Sequence, residues 1–431
     1  MSTTLSFPQS TESCNDSDST LSLACQGNWT DRLARRLMLK KLETLQGGTL
    51  NVVDAAGTTT LGNPGDLSAT LVVRRPAFYR HAVLGGTLSV AESYLRGDWE
   101  CDDLTSMLRI FVRNISQTQQ LDSGFSGIAK QFNRLYHTLH ANSRTGSRRN
   151  IHAHYDLGNE FFRLMLDETM AYSSGIFLTP ESTLYEASVE KIDRLCRKLE
   201  LKPTDHLLEI GTGWGGLALH AATQYGCRVT TTTISQQQYN IARQRIAEAG
   251  LSEQVPLLLT DYRDLTGQYD KIVSVEMIEA VGHQYLDTYF GCCSRLLKPS
   301  GSFALQSIIM PDQGYSKYLK SVDFIQKYIF PGGCLPSMSS MLTSTARATD
   351  LRLAHAEDFG PHYARTLREW RQRFHENLSE VRRLGYPERF VRMWDYYLSY
   401  CEAAFDERYI GVVQLQFDKQ QFRHANDLVS A

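Results

Sequence analysis

The segment from His206 to Gly216 constrains the fold of this chain more than any other, because an apolar strand pattern runs directly into a glycine-rich turn. Gly211, Gly213 and Gly215 carry no Cβ atom, so the backbone can adopt positive φ and a ligand can lie against its N–H and C=O groups. A strand, a glycine turn and a helix in this order predict a cofactor site. The GxGxGG spacing by itself leaves nicotinamide, flavin and S-adenosylmethionine cofactors open.

The strand that follows the turn narrows the choice of cofactor. Residues 228–235 are a β-branched run that predicts a buried strand, and a helix is predicted from about residue 236 to 249. A dinucleotide site usually has Asp or Glu at the end of this strand to bind the ribose hydroxyls. No acidic residue stands there, and Thr233 and Gln238 are the polar candidates. The pattern therefore favours S-adenosylmethionine over NAD.

Length and composition give the general class of protein. A chain of 431 residues exceeds what one hydrophobic core usually supports, so two or more domains are expected. The net charge of −2 gives no reason to expect a nucleic-acid partner. Residues 1–25 are predicted to be a disordered polar tail, and no apolar run reaches the roughly 18 residues of a spanning helix. The nine cysteines lack metal-site spacing, so no metal is expected and a reducing cytoplasm is the predicted setting.

Residues 26–141 are predicted to form a smaller mixed α+β amino-terminal domain. Its segment 31–45 places leucines on one helical side with arginines and lysines around them, and this pattern has two interpretations. The helix can lie on anionic lipid, or it can pack on a core and leave a charged face in water. Residues 48–73 alternate like short strands, residues 88–112 look helical, and the polar residues 142–150 are predicted to be a linker to the domain at 151–431.

The second domain shows a regular alternation of strand and helix patterns. Strands are predicted at 206–210, 228–234, 255–261, 269–276 and 301–310, and a late strand at 409–417 follows two long helices. This alternation predicts an α/β fold with a doubly wound sheet, whose ligands bind at the carboxyl ends of the strands. The candidate segments at those ends are 261–263, 276–279 and 306–308. The arrangement resembles the class I methyltransferases, which have a Rossmann-like sheet of seven strands with an antiparallel last strand.

A series of further motifs makes the resemblance more specific. In order and spacing, they resemble the cyclopropane fatty acid synthases from about residue 45 onward. Together with the glycine turn, the motifs are Ala91–Cys101, His154–Asn159, Tyr172–Ser174, Thr233–Ser235, Asp261–Leu265, Glu279–Gly282 and Lys327–Ser337.

The resemblance implies transfer of a methyl group from S-adenosylmethionine to a cis double bond in a phospholipid acyl chain, which forms a cyclopropane. It implies a phospholipid bilayer as partner, approached by the smaller domain, and a peripheral location on the inner face of the membrane. A homodimer is left open. By residue match, the implied cofactor contacts are Tyr172, Ser173, Gly211, Gly213, Gly215, Thr233, Ile234, Gln238, Tyr262 and Arg263.

The expected chemistry needs a base beside the transferred methyl group. An alkene is a poor nucleophile, its attack on the methyl leaves a carbocation, and ring closure requires removal of a proton from the added methyl. The resemblance implies that a bicarbonate ion is the base. The residues that the resemblance places around this ion, called its shell below, are Glu279, Gln306, Tyr363, Ser174 and Ile308. Cys401 matches a cysteine of the family and is a further catalytic candidate, although a cysteine among aromatics at helical spacing is more often a small core residue.

Two shell positions differ from the usual family residues. Ser174 stands where Cys is typical and Gln306 where His is typical, so an anion would lose electrostatic support, and Glu276 adds a negative charge that would oppose it. Base placement decides the product: a cyclopropane, or a methyl-branched unsaturated chain if a neighbouring chain carbon loses the proton. Two other classes stay open, a catalytically silent lipid or cofactor binder and a methyltransferase for a small soluble amine or phenol.

Overall fold

The structure is a computed structural model that describes residues 27–115 and 158–424. The predicted polar tail at 1–25, the predicted linker at 142–150 and the motif residues His154 and Tyr155 lie outside the described residues. The described strands form two separate sheets, one of four strands and one of seven. No helix in the described part of the chain is long and apolar enough to cross a membrane.

The amino-terminal sheet has the strand order β2-β1-β3-β4. Alternating buried side chains along β1 and β3 pack against the helices, as expected for a sheet with one face on a core. The elements are α1 (Trp29–Leu42), β1 (Gly48–Asp54), β2 (Gly57–Leu61), β3 (Leu67–Val73), α2 (Ala77–Leu95), β4 (Trp99–Cys101) and α3 (Leu104–Arg113).

The prediction of a helix over residues 88–112 is wrong for the middle of the segment, where the short strand β4 separates α2 from α3. Gly97 adopts a φ of +72°, which ends the helical path after α2, and β4 then pairs antiparallel with β3. Trp99 is fully buried and its indole N–H donates to Ser93 Oγ at 2.8 Å. The three-residue strand is too short to show a period of two in the sequence, which is why the flanking helical pattern hides it.

The larger sheet has the order β10-β11-β9-β8-β5-β6-β7, with β11 antiparallel to both of its neighbours and the other pairs parallel. Its strands are β5 (His206–Ile210), β6 (Arg228–Thr232), β7 (Leu257–Leu258), β8 (Tyr269–Val275), β9 (Leu297–Ile309), β10 (Arg352–Asp358) and β11 (Gly411–Asp418). The predicted seven-stranded sheet with an antiparallel last strand is confirmed.

Helices cover the larger sheet and extend beyond it. The α-helices are α4 (Asn159–Arg163), α5 (Leu184–Lys198), α6 (Gly216–Tyr225), α7 (Gln236–Glu248), α8 (Leu286–Leu296), α9 (Asp312–Tyr318), α10 (Met338–Ala348), α11 (Gly360–Glu376), α12 (Leu378–Arg383) and α13 (Glu388–Asp406). Short 3-10 helices are present at Tyr262–Asp264, Ile278–Ala280 and His283–Tyr285, and a π-helix at Ile325–Ile329.

Two strands of this sheet depart from the prediction. The predicted strand at 255–261 is reduced to the two-residue β7, which pairs only with β6 at the sheet edge. The edge strand β10 was not predicted, because nearly all of its side chains are exposed. A strand that is exposed on both faces needs no alternation of apolar and polar residues, so the sequence lacks the pattern from which a strand is recognised.

Helix α13 connects the amino-terminal unit to the larger sheet. The hydroxyl of Tyr94 on α2 donates to Asp395 at 2.9 Å, and Thr105 on α3 donates to Glu402 at 3.2 Å. Arg109, also on α3, donates to Glu407 at 2.7 Å, just beyond the end of α13. The opposite side of the same helix lines the cavity described next, so the amino-terminal unit supports one wall of that cavity.

Candidate active site

A cavity of about 350 Å³ lies at the carboxyl ends of the central strands. This is where a doubly wound sheet binds its ligands, and the volume falls within the range of small-molecule sites. Most of the predicted site residues line it. Among the predicted cofactor contacts these are Tyr172, Ser173, Gly211, Gly213, Thr233, Ile234, Gln238, Tyr262 and Arg263, and among the predicted catalytic residues Glu279, Ile308, Tyr363 and Cys401.

The glycine turn forms the floor of the cavity on the cofactor side. Gly211 has a φ of +102° and Gly213 a φ of +52°, conformations that glycine adopts without steric cost. A Cβ atom on Gly213 would meet nothing within 4 Å of the chain, so the space beside this backbone is open toward the cavity. The bare backbone and its open face fit a cofactor that lies against the turn.

Gly215 has a different place from the other two turn glycines. It does not line the cavity, and a Cβ built there would stand 3.4 Å from Ala242 of α7. With a φ of +87° it precedes α6 directly and turns the chain into that helix. Gly215 therefore allows α6 to begin close to α7, next to the cofactor side of the cavity.

Polar groups beyond β6 and β7 complete the cofactor side. Thr233 Oγ1 donates to Gln238 Oε1 at 2.9 Å, which holds the two predicted polar candidates together. Arg263 donates to the Asp261 carboxylate at 2.6 Å, and the Asp261 side chain also accepts from the Arg263 backbone N–H at 3.0 Å. These side chains line the cavity and carry the kinds of donor and acceptor groups that the hydroxyl and amino groups of a nucleoside need.

A second part of the cavity lining is largely aromatic, and it includes Tyr172, one of the predicted cofactor contacts. Tyr172 and Tyr397 join their hydroxyl groups at 2.8 Å, and Phe405 of α13 stacks on Tyr363 with ring centroids 4.5 Å apart. Cys401 lies on this wall, and burial raises the pKa of its thiol well above the usual value, which makes it a poor thiolate nucleophile. The wall is suited to an apolar chain and excludes water from its neighbourhood.

Within this wall, the Glu276 carboxylate accepts three hydrogen bonds from predicted site residues. The backbone N–H of Ser174 donates to its Oε1 at 3.0 Å and Gln306 Nε2 donates to the same oxygen at 2.8 Å. The Tyr363 hydroxyl donates to Oε2 at 2.7 Å. Ser174 and Gln306 are fully buried behind the cavity wall, so they reach the cavity only through Glu276.

Glu279, three residues further along the chain, accepts hydrogen bonds from a second set of donors. The backbone N–H of Ile308 donates to its Oε1 at 2.7 Å and Ser307 Oγ at 3.1 Å. Its Oε2 is buried and has no hydrogen-bond partner among the described residues. Burial and the negative charge of Glu276 raise the pKa of Glu279 to about 8, so this side chain holds a proton at neutral pH.

These contacts do not fit the expected bicarbonate. The five residues predicted to surround it do come together, but Ser174, Gln306 and Tyr363 donate to Glu276, and Ile308 donates to Glu279. The donors that a bound anion would need already face the chain's own carboxylates. The interpretation that a negative charge at Glu276 would oppose such an ion agrees with this geometry.

The sequence interpretation missed a chain of amides that orients this cluster. Gln414 of β11 donates through Nε2 to Gln306 Oε1 at 3.0 Å, and its own Oε1 accepts from Lys198 at 2.7 Å. This fixes the Gln306 amide with its N–H groups toward Glu276. Lys191 was also missed: its buried ammonium donates to Ser173 at 2.6 Å, and burial lowers its pKa while the charge of Glu276 opposes that shift.

Comparison with known proteins identifies the family. Residues 142–415 match the family model described as mycolic acid cyclopropane synthetase. The chain belongs to this family. Tuberculostearic acid methyltransferase UfaA1 of Mycobacterium tuberculosis is 39% identical over 391 residues, which are 89% of this chain and 90% of that protein. Cyclopropane-fatty-acyl-phospholipid synthase of Escherichia coli is 38% identical over 363 residues, 82% of this chain and 89% of that protein.

A solved structure of the same family agrees with the fold. The mycolic acid cyclopropane synthase CmaA1, complexed with SAH and CTAB, is 33% identical and superposes with a TM-score of 0.59 over 63% of this chain and 98% of its own. Like its family, this cyclopropane synthetase homologue is a class I methyltransferase that uses S-adenosylmethionine. The choice of S-adenosylmethionine over NAD is confirmed, and the relatives place the enzyme among methyltransferases that modify lipids.

Proposed function

We propose that this enzyme transfers a methyl group to a cis double bond in an acyl chain of a membrane phospholipid and releases a methyl-branched unsaturated chain without closing a ring. The proposal depends mainly on the hydrogen bonds of the Glu276 carboxylate. This carboxylate accepts from Ser174, Gln306 and Tyr363, the donors that were expected to hold a separate base. The name of the relative UfaA1, a tuberculostearic acid methyltransferase, supports a fatty acyl substrate.

The two sides of the cavity have different tasks in this reaction. Bound S-adenosylmethionine supplies an electrophilic methyl group. The glycine turn and Thr233 orient it, and the aromatic wall of Tyr172, Tyr397 and Phe405 holds the alkene in line and excludes water. The π electrons of the alkene form the new C–C bond, which leaves a cation on the neighbouring chain carbon. Loss of a proton from the next chain carbon restores a double bond.

The absence of ring closure follows from where the anionic groups are held. Closing a ring requires a base that reaches the newly added methyl group. In this chain Glu276 is restrained by three hydrogen bonds, and Glu279 holds a proton at neutral pH. A fixed carboxylate on the wall that contacts the acyl chain favours proton loss from the chain.

Cyclopropane formation is the second candidate product. It is favoured by the Escherichia coli relative, a cyclopropane-fatty-acyl-phospholipid synthase of 38% identity. The contacts of Glu279, Tyr363 and Ile308 in one cavity also agree with the shell that the family resemblance implies. The two products have the same mass when the methyl is unlabelled, so mass alone does not separate them.

Isotopic labelling separates the two products. The purified enzyme is incubated with cofactor deuterated in its methyl group and with vesicles of a cis-monounsaturated phospholipid, and the released chains are analysed by mass spectrometry and proton NMR. We expect all of the methyl deuterium to be retained and no ring-proton signals. Ring signals together with loss of part of the deuterium would contradict the proposal in favour of the cyclopropane.

We also propose that α1 brings the enzyme to an anionic phospholipid bilayer. Trp29, Leu33 and Leu37 recur every four residues and are 69%, 50% and 52% exposed. Arg32, Arg36 and Lys40 form an adjacent exposed row on the same helix. An outward apolar row beside a basic row is the pattern of helices that lie in a membrane interface. The opposite side of α1 packs on the core through Met38 and Leu42.

Vesicle co-sedimentation tests the α1 proposal. We expect the full chain to bind vesicles that contain phosphatidylglycerol and to lose about 1 kcal/mol of binding free energy for each cation removed in the series R32Q, R36Q and K40Q. A double L33S/L37S variant is expected to weaken binding further, whereas L178S, at an exposed leucine far along the chain, serves as the matched control. Equal binding of all variants would refute the role of α1.

A further inference from the structure

We propose that the Glu276 carboxylate is the general base of this enzyme, a proton acceptor built into the chain that makes a dissolved anion unnecessary. The inference rests on the proposed function, because it names the group that accepts the proton in that reaction. It assigns Glu276 a catalytic place, and it makes Ser174, Gln306 and Tyr363 positioning residues that hold the base.

The backbone at Glu276 brings its side chain into the cavity. Glu276 directly follows β8, and its N–H donates to Gln306 O of β9 at 2.8 Å. Its φ of +48° is one of four positive values at non-glycine residues in the described part of the chain. Non-glycine residues in this conformation cost free energy and concentrate at functional sites. The strained turn places Glu276 in the lining of the cavity.

The hydrogen bonds leave one oxygen of Glu276 able to accept a proton. Oε1 accepts from both Ser174 and Gln306, which occupies its two lone pairs. Among the residues that the structure describes, Oε2 accepts from Tyr363 alone and keeps one lone pair. The site therefore orients a carboxylate with a defined accepting atom, Oε2, in a cavity lined by the residues that would hold the acyl chain.

Burial and the surrounding groups set the basicity of Glu276. Burial and the charge of Glu276 raise the pKa of the neighbouring Glu279 to about 8, which leaves Glu279 neutral at pH 7. The buried ammonium of Lys191 favours the ionised form of Glu276, as do the hydrogen bonds from Tyr363, Gln306 and Ser174. Burial has the larger effect, so the pKa of Glu276 is raised overall, which increases its basicity.

The proton transfer balances without any further reactant. As the C–S bond of the methyl donor breaks, the alkene electron pair forms the C–C bond and an adjacent cation. A C–H bond next to that cation then breaks, its electron pair becomes the new C=C bond, and the proton forms an O–H bond on Glu276 Oε2. Glu276 returns the proton to solvent after product release.

Two substitutions at one position test this assignment. Glu276→Gly removes the carboxylate and suits the positive φ, so the fold is expected to persist and the vacated donors can bind a small anion. Glu276→Gln keeps the site filled with a neutral group. We expect both variants to lose at least about a hundred-fold in methyl transfer. Formate or bicarbonate is expected to restore activity in E276G and to have no effect on E276Q.

Binding measurements give a readout that does not depend on turnover. Calorimetric titration with S-adenosylhomocysteine is expected to give equal affinity for the native chain, E276G and E276Q. Carbon-13 NMR of labelled bicarbonate is expected to detect a bound ion in E276G only. Exposed Glu160, whose side chain is 68% accessible, provides the control variant E160Q, which should behave as the native chain in both assays.

The proposal is overturned if the native chain loses activity in carbonate-free buffer and regains it with bicarbonate, or if E276Q retains the native rate. Failure of the proposed function has a different signature. In that case the native chain either methylates no unsaturated lipid or gives ring-bearing chains, whereas the NMR comparison of bicarbonate binding to the native chain and E276G still reports whether Glu276 fills the anion position.

Discussion

The two sides of the cavity are built in contrasting ways. On the cofactor side, the turn at Gly211 and the pair Thr233 and Gln238 are formed by residues close together in sequence. On the acceptor side, Glu276 is bound by Ser174 and Tyr363, which are 102 and 87 residues away. The residues expected to bind the cofactor are thus placed by local backbone geometry, whereas the carboxylate proposed to accept the proton is held by tertiary contacts. Changes on the two sides should therefore affect different measurements.

The largest expected effect comes from Glu279 on the acceptor side. In the folded chain its pKa is about 8, against about 4.5 in the unfolded chain, so the folded state keeps a proton that the unfolded state releases between these values. Its contribution is therefore fully present below pH 4.5 and is lost as pH rises toward 8. The ideal slope is about 1.4 kcal/mol per pH unit, and water in the cavity reduces it to about 1.

Denaturant unfolding of E279Q and the native chain between pH 5 and pH 8 measures this slope. The amide resembles the protonated carboxyl group, so the two should have similar stability at pH 5, and E279Q should be more stable by about 3 kcal/mol at pH 8. E160Q should show no such divergence, because Glu160 is exposed. A difference that does not change with pH would contradict the assigned protonation of Glu279.

Tyr363 should have the next largest effect, and on catalysis alone. Tyr363→Phe removes the hydrogen bond to Glu276 Oε2, and bonds to charged groups are worth about 1.5–3 kcal/mol. We expect methyl transfer to fall roughly 10- to 100-fold in single-turnover assays, with unchanged affinity for S-adenosylhomocysteine. Tyr397→Phe is the matched control, since it removes only a bond between two neutral hydroxyls. Equal losses in both variants would show that Tyr363 contributes packing only.

The cofactor side should respond in the opposite manner. Gly211→Ala forces a φ of +102° on a residue with a Cβ, which would stand 3.3 Å from Met277. We expect strain of about 1–2 kcal/mol and roughly ten-fold weaker binding of S-adenosylhomocysteine by calorimetry. Gly250→Ala carries a similar strain, at a φ of +71° with open space around it and outside the cavity lining, and should leave binding unchanged. Equal weakening in both would point to general destabilisation.

The same contrast explains what the sequence predicts. The turn and the order of strands and helices follow from local patterns, with small errors at β4, β7 and β10, whereas the antiparallel last strand was implied by the resemblance to class I methyltransferases. The five predicted shell residues do meet. The sequence did not reveal that Glu276 occupies their centre, since its three donors come from distant segments and only folding brings them together. Its position at a strand end was the one available signal.

Gln414 is the smallest and most specific test, because it contacts the base only through Gln306. Its Nε2 donates to Gln306 Oε1, and without that bond the Gln306 amide can rotate and present its oxygen to the Glu276 carboxylate. Gln414→Met keeps the volume and removes the donor, so a loss of about 1 kcal/mol, or roughly five-fold in methyl transfer, is expected.

The matched control for Gln414 lies on the same strand. Gln416 donates to Ser302 and Asp418 instead, and Q416M should leave methyl transfer unchanged. A positioning role also predicts a shift in the pH profile of Q414M toward higher pH, since a carboxylate that loses a donor is protonated more easily. A purely structural role would lower stability without moving that profile. The pH profile therefore decides whether Gln414 on β11 helps to orient the Glu276 carboxylate.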